Sequence, residues 1–205
     1  MYLISFCLYG SAPKYVQGAL ANIRLAPEMY PGWRVRVYCE NGVQAKPLEA
    51  AGAEVVQMGK SRRHEGMLWR FLPAWEPGIK ATIFRDCDSR LNPREAAAVN
   101  AWLRSSYGIH CMHDHEHHAS FPLFGGMWGA RHGALTQEMH QSLQDLLRRR
   151  VRRVGDMIWL RRVVYPATKY DTLRHSSVDV SPWGPYSDFP EHPEWPGFVG
   201  EQVEA

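Results

Sequence analysis

Ala81-Thr-Ile-Phe-Arg-Asp-Cys-Asp-Ser-Arg90 is the stretch that decides how this chain is read. Ala81 to Phe84 is a short, almost uninterrupted apolar run, the pattern of a strand buried on both faces. It runs directly into Asp86 and Asp88. In open α/β sheets ligands bind outside the carboxyl ends of the strands, so the two acids stand where a site is expected. Residues i and i+2 of an extended segment project to one side, and both carboxylates can then address one cation. Hard divalent ions are held by one or two carboxylates together with substrate phosphates. The plain structural use of the same residues is an acidic turn after a strand, and the motif alone does not choose between the two.

Working outward, strands and helices alternate. Tyr2 to Tyr9 is an apolar run of strand length, closed by Gly10 and Ser11, with Ser11 placed to cap a helix that carries Tyr15, Ala19 and Ile23 on one face. Trp33 to Cys39 alternates apolar and basic residues like a half-buried strand. Pro47 to Ala51 reads as a short helix stopped by Gly52, and Ala53 to Met58 as a strand. Glu65 to Trp75 reads as a helix with an aromatic face that includes Arg70. Asn92, Pro93 and Glu95 have the order of a helix start, with a capping asparagine, a proline in the first turn and a capping-box glutamate. Gly108 to Met112 and the glycine-rich Phe124 to Ala130 are further strands. Leu135, Met139, Leu143, Leu146 and Leu147 mark an amphipathic helix, and another is expected from Gly155 to just before Pro166. The tail from Ser181 to Gly200, rich in proline and aromatics, is expected to wrap over the core. The whole predicts an α/β fold with a mostly parallel central sheet in a single domain spanning 1–205.

Composition narrows the function classes. The chain has 205 residues, 45% hydrophobic and 22% charged, with 8 Trp and 9 Tyr, enough large side chains for one sizeable core. A net charge of +3 is compatible with an acidic small-molecule substrate and too weak to imply nucleic acid. Cys7, Cys39, Cys87 and Cys111 are widely spaced, without a C-x-x-C pair, and read as buried thiols in a reducing, cytoplasmic setting. The first apolar run is too short to span a bilayer, and no transmembrane segment is expected. Arg148-Arg-Arg-Val-Arg-Arg153 is the strongest charge run and reads first as a solvated helix end.

The order of motifs resembles GT-A glycosyltransferases. Leu8-Tyr-Gly-Ser11, Tyr30-Pro-Gly-Trp33, Gly66-Met-Leu-Trp-Arg-Phe71, the Asp86-x-Asp88 segment, Gly125-Gly-Met-Trp-Gly129 and Phe198-Val-Gly200 follow one another as in small bacterial glycosyltransferase-like proteins. Leu123 to Gly129 looks like the glycine-glycine-aromatic strand beside the donor sugar in the blood-group and α-1,3-galactosyltransferase group. Gly155-Asp-Met-Ile-Trp-Leu160 resembles the acidic helix start of the same enzymes, with Met157 where glutamine is common.

The resemblance implies a GT-A-like domain with a nucleotide-binding half (about 1–90) and an acceptor half (about 91–205). It also implies Mn²⁺ or Mg²⁺ as cofactor, a UDP-sugar donor, an acceptor it does not name, and no nucleic acid. Asp86 and Asp88 then bind the metal, with His175 as third ligand. Arg70 and Arg85 pair with diphosphate oxygens. Tyr9 and Gly10 flank the nucleotide, and Gly125, Gly126 and Trp128 lie by the sugar. Asp114 and His115 line the sugar or acceptor pocket. Asp156 faces the anomeric carbon of a retaining reaction, with Asp114 as the other catalytic candidate. The cluster His113-Asp-His-Glu-His-His118 lacks the spacing of a zinc site.

Two other readings stay open. A haloacid-dehalogenase-like phosphohydrolase also places D-x-D after an apolar strand and uses the first acid, here Asp86, as nucleophile. A non-catalytic module could use the arginine run to hold a polyanion.

Overall fold

The computed structural model describes residues 1–10, 12–43, 45–62 and 64–203. The expected cap at Ser11 lies outside the described residues. Seven strands form one sheet in the order β3-β2-β1-β4-β6-β5-β7. They are β1 (Tyr2–Leu8), β2 (Arg34–Glu40), β3 (Glu54–Met58), β4 (Ala81–Arg85), β5 (Ile109–His113), β6 (Met127–Arg131) and β7 (Thr172–Ser176). All run the same way except β6, which is antiparallel to both neighbours, β4 and β5.

The helices are α1 (Pro13–Met29), α2 (Lys46–Ala50), α3 (Pro93–Arg104), α4 (Gln137–Leu147), α5 (Gly155–Trp159) and α6 (Tyr165–Thr168). Burial splits over the two sheet faces. On one face α1 and α3 pack Ala19, Ile23, Val99 and Trp102 against Ile4, Phe6 and Ile83. On the other, Phe71, Phe84, Trp128 and Trp159 form an aromatic core under α4 and α5. Phe71 meets Phe84 edge-on at 5.2 Å and stacks on Trp159 at 5.8 Å.

Three local expectations are modified. Glu65–Trp75 is helical but of 3₁₀ type, and it is buried on every side, with Gly66, Leu68, Phe71 and Arg70 all inside. Asn92 caps α3 by accepting from the Glu95 N–H at 2.9 Å, but the Glu95 carboxylate does not return to complete the box. It takes the Tyr30 hydroxyl (2.7 Å) and Arg85 Nε (3.2 Å) instead. The helix from Gly155 passes Pro166 rather than stopping before it. A π turn at Leu160–Val164 ends the first segment, so the proline falls in the first turn of α6, where a missing N–H costs nothing.

The tail does wrap. Ser187 bridges to His175, and Val199 is fully buried against Met112 and Met127. The Val203 N–H reaches the Asp88 carbonyl at 2.8 Å.

Candidate functional site

Parallel pairing of β1 with β4 sets their carboxyl ends side by side, so Tyr9 and Asp86 leave the sheet at the same edge. The reversed strand β6 enters at that edge, with Met127 opposite Arg85. Just before β6, in a turn, Gly126 lies against Asp86. A Cβ on Gly126 would stand 2.0 Å from Asp86 Oδ2. On Gly125 it would stand 2.2 Å from Asp156 Oδ2 and 2.5 Å from Arg70 Nη2. The glycine pair is therefore needed for space: two carboxylates and a guanidinium lie directly on its backbone.

Arg70 is the hub. Its backbone is fixed to β1 by the Ser5 hydroxyl, which donates to the Arg70 carbonyl at 2.7 Å. Its side chain is 4% exposed and forks. Nη1 pairs with Asp86 Oδ1, and Nη2 with Asp156 Oδ2 at 2.8 Å. Burial works against its charge, but Asp86 and Asp156 outweigh burial and hold the group above its usual range. Asp156 sits in the first turn of α5, where the helix dipole favours an anion. Its Oδ1 also accepts from the Met157 N–H at 2.8 Å. Burial raises its pKa against the lowering pull of Arg70.

Asp86 is the open member, with its side chain 47% exposed, while the Asp88 side chain is 9% exposed. Asp88 lies in a turn rather than on extended chain, and its carboxyl is raised first by burial and then by the charge of Asp86. Lys14 Nζ stands 3.9 Å from Asp88.

These groups line a cleft of about 560 Å³, together with Tyr9, Cys7, Phe124, Arg153 and Gln202. Burial pushes the Cys7 thiol up to about 12, leaving it a neutral wall. Tyr9 packs edge-on against Trp69 at 6.5 Å, over Gly66, where a Cβ would come 2.6 Å from its ring. Lys14, Arg153 and Gln202 were not singled out from the sequence. Arg153 was visible only as part of the arginine run, and Gln202 left no signal.

Other expected residues lie elsewhere. Arg85 points to the opposite sheet face from Asp86, paired with Glu95 and donating to the carbonyls of Phe84 (2.9 Å) and Trp128 (3.1 Å); it cannot meet a diphosphate in the cleft. Trp128 is fully buried against Phe84 at 4.4 Å. Asp114 is buried and saturated: Arg94 donates twice (2.7 and 2.8 Å), the Ser177 hydroxyl once (2.7 Å) and the Val199 N–H once (2.9 Å). It anchors the tail and does not line the cleft. His115 stacks on Phe198 at 4.6 Å, outside the cleft lining. Gly10, at φ +77°, donates its N–H to Glu40 at 2.6 Å.

His175 does not join the carboxylates. It is buried on β7, bonded to His110 at 2.9 Å. Among the described residues no three His, Cys, Asp or Glu side chains gather as a metal set. The donors at the cleft are two carboxylates, Asp86 open to solvent and Asp88 raised in pKa by burial and then by the charge of Asp86. That oxygen-only set fits a hard divalent ion whose remaining ligands come from phosphate and water.

No family model matches the sequence, and no curated protein does. Solved structures do match in fold. One is glucosyl-3-phosphoglycerate synthase from Mycobacterium tuberculosis, in complex with Mn²⁺, UDP and glucosyl-3-phosphoglycerate. It is 12% identical, with 86% of this chain and 69% of that one covered and a TM-score of 0.56. Another is 4-diphosphocytidyl-2C-methyl-D-erythritol synthase from Anaerococcus prevotii, 7% identical over 88% and 90% of the two chains, also with a TM-score of 0.56. The chain spans 54% of the length of a further mycobacterial protein that it matches less well. At these identities the likeness is one of architecture: the chain has a GT-A-like α/β fold, shared with these two enzymes.

Proposed function

We propose that the chain is a metal-dependent glycosyltransferase that moves a sugar from a nucleoside-diphosphate donor, a UDP-sugar, to an acceptor with retention at the anomeric carbon. The observation that carries this reading is the fork of Arg70, which binds Asp86 and Asp156 from two different elements against a glycine-glycine backbone. The first half of the chain, to about residue 90, would hold the nucleotide, with Tyr9 against the base, and the remainder would hold the acceptor. The four buried free thiols accord with a reducing, cytoplasmic setting.

Asp86 and Asp88 would hold Mn²⁺ or Mg²⁺, which in such sites offsets the charge that builds on a departing diphosphate. Lys14 and Arg153 supply further positive charge at the same cleft for phosphate oxygens. Gly125 and Gly126 let Asp86, Asp156 and Arg70 close onto the backbone, and Gly125 lines the cleft where the sugar would lie. Asp156, desolvated and oriented by Arg70 and the Met157 N–H, faces the space beside them. There it can stabilise positive charge developing on the sugar, or attack it. The phosphohydrolase alternative, with Asp86 as nucleophile, gains no support from the folds that match.

Thermal unfolding with nucleoside diphosphates, with and without Mn²⁺, tests the reading. The expected result is a rise with UDP that needs the metal and disappears in Asp88→Ala. Absence of any nucleotide response, or a full response in Asp88→Ala, would refute it.

A further inference from the structure

The arginine run follows the end of α4 with its arginines exposed, as expected, and it also borders a cleft. A second cleft, of about 720 Å³, opens between α4 and the α5 helix with its π turn. Its floor is apolar, made by Leu146, Val151, Ile158 and Trp159. Its rim carries Arg149, Arg150, Arg152 and Arg162, with Glu138 and Asp145 on its α4 side, so the arginines outnumber the acids by four to two. Val151 is 3% exposed while the arginines on either side of it are exposed, so the run folds inward at one residue and presents the rest outward. None of the four rim arginines makes an ion pair or a side-chain hydrogen bond among the described residues. The nearby acid Asp145 is taken by Arg148 at 3.8 Å. Arginines serving only to complete α4 would lie on its last carbonyls or on neighbouring acids. Val154, 41% exposed, lies at the divide and lines the donor cleft together with Arg153. The two clefts are therefore separated by one thickness of chain.

We propose that this arginine-rimmed cleft docks the protein on an anionic lipid bilayer, taking a phosphate-bearing headgroup on the rim and the first apolar segment of the lipid on the floor. Unpaired guanidinium groups match phosphate oxygens in a bidentate way. The apolar floor selects a lipid over a soluble polyanion, which has nothing to bury there, and no exposed aromatic offers a base a stacking platform on this rim. No helix among the described residues is long and apolar enough to cross a membrane, so the association is peripheral. Docking would hold the neighbouring donor cleft at the membrane surface, where a lipid-linked acceptor could reach it.

Flotation of the full chain with phosphatidylcholine vesicles, alone or mixed with phosphatidylglycerol, tests the proposal. Binding is expected to the anionic vesicles only, and to weaken with salt. Each basic residue near such a surface contributes about fivefold in partition, so the combined change Arg149→Glu, Arg150→Glu and Arg162→Glu should weaken binding by about a hundredfold or more. The melting temperature and the metal-dependent nucleotide response should not change. Arg162→Glu alone, with an effect of about fivefold, serves if the triple variant does not fold. No binding to anionic vesicles, or equal binding by the variants, would overturn the proposal. Heparin binding as tight as vesicle binding, with no effect of Ile158→Ser, would assign the rim to a soluble polyanion and overturn it equally.

Discussion

Gly126→Ala separates the chemistry of the cleft from the stability of the fold. Its Cβ would lie 2.0 Å from Asp86 Oδ2 and 2.5 Å from Cγ. Ordinary contact is about 3.5 Å, so the carboxylate must retreat by roughly 1–1.5 Å. Gly126 is not among the glycines at positive φ, so the backbone accepts alanine, and removing a glycine stabilises by about 0.4–1 kcal/mol through the unfolded chain. Against this stands the loss of the Arg70–Asp86 pair. Because the Asp86 side chain is 47% exposed, that loss is worth only about 0–1 kcal/mol after solvent screening. The two nearly cancel, and the melting temperature without ligand should stay within about 3 °C. Ligand binding should not survive as well, since a misplacement of about 1 Å at a site costs on the order of a hundredfold. With UDP and Mn²⁺ at about a hundred times the dissociation constant, the native protein gains about 2.7 kcal/mol. That is roughly 5–10 °C for a chain of this size. The same ligand would then sit near its dissociation constant in the variant and add only about 0.4 kcal/mol, roughly 1 °C. A G126A protein that melts normally and keeps the whole ligand-induced rise would refute the assignment of Asp86 to the donor.

Arg70→Met leaves Asp156 buried without its counter-ion and should cost about 3–5 kcal/mol. Calorimetry should show a melting point lowered by roughly 10 °C, partly restored by adding Asp156→Asn; a variant melting like the native protein would contradict the hub. Asp114→Asn replaces one of the two oxygens that accept from Arg94, Ser177 and the Val199 N–H by an amide donor and removes the charge facing Arg94, so limited proteolysis should cut the tail beyond residue 190 much faster, with nucleotide binding weakened through the Val203–Asp88 contact. Unchanged cleavage would show that the tail is held by other means. Burial holds His113, His118 and His175 down at about 4, and His110 well below its usual value. The unfolded chain takes up protons near pH 6.5 that the native state refuses, so stability is complete above that pH and is lost as pH falls toward 4. Asp88 and Asp156, raised by burial, act in the opposite sense at the acid end, because the native state binds their protons first. Urea unfolding between pH 7.5 and 4.5 should show this slope, reduced by about one proton in His175→Asn; a flat profile would contradict it.

Much of the frame is written locally in the sequence. The run from Ala81 to Phe84 can only be a buried strand, Asn92-Pro93 can start a helix, and the spacing of the leucines after Leu135 admits little else. What was hidden is non-local. Phe124 to Ala130 reads as a strand, yet nothing in it says that it runs backwards between β4 and β5, and that reversal is what sets the glycine pair on Asp86. One misplacement was avoidable. The period of two along β4 already turns Arg85 away from the side of Asp86, so only Arg70, arriving from another element, could serve the cleft. Asp114 and His175 were assigned by resemblance alone. Their partners, Val199 and Ser177 for one and His110 for the other, are too distant in sequence for spacing to reveal.

The charge balance of the cleft explains why Arg70 occupies its position. Three carboxylates, Asp86, Asp88 and Asp156, line one cleft from two parts of the chain, and three cations, Arg70, Lys14 and Arg153, stand among or beside them. Without ligand the set is close to neutral, which is what a partly buried acidic cluster requires if its members are to stay ionised. A divalent ion and a diphosphate bring opposite charges and would enter as a pair, so the occupied cleft stays near neutral as well. A divalent ion alone, or a diphosphate alone, would not preserve that balance. The open carboxylate, Asp86, is the one that can exchange Arg70 for a cation, because solvent already reaches it. Arg70 then keeps Asp156, its buried partner, whose separation from a counter-ion would be far more costly. On the proposed reading, the fork would give donor binding its dependence on metal while leaving Asp156 fixed in both states.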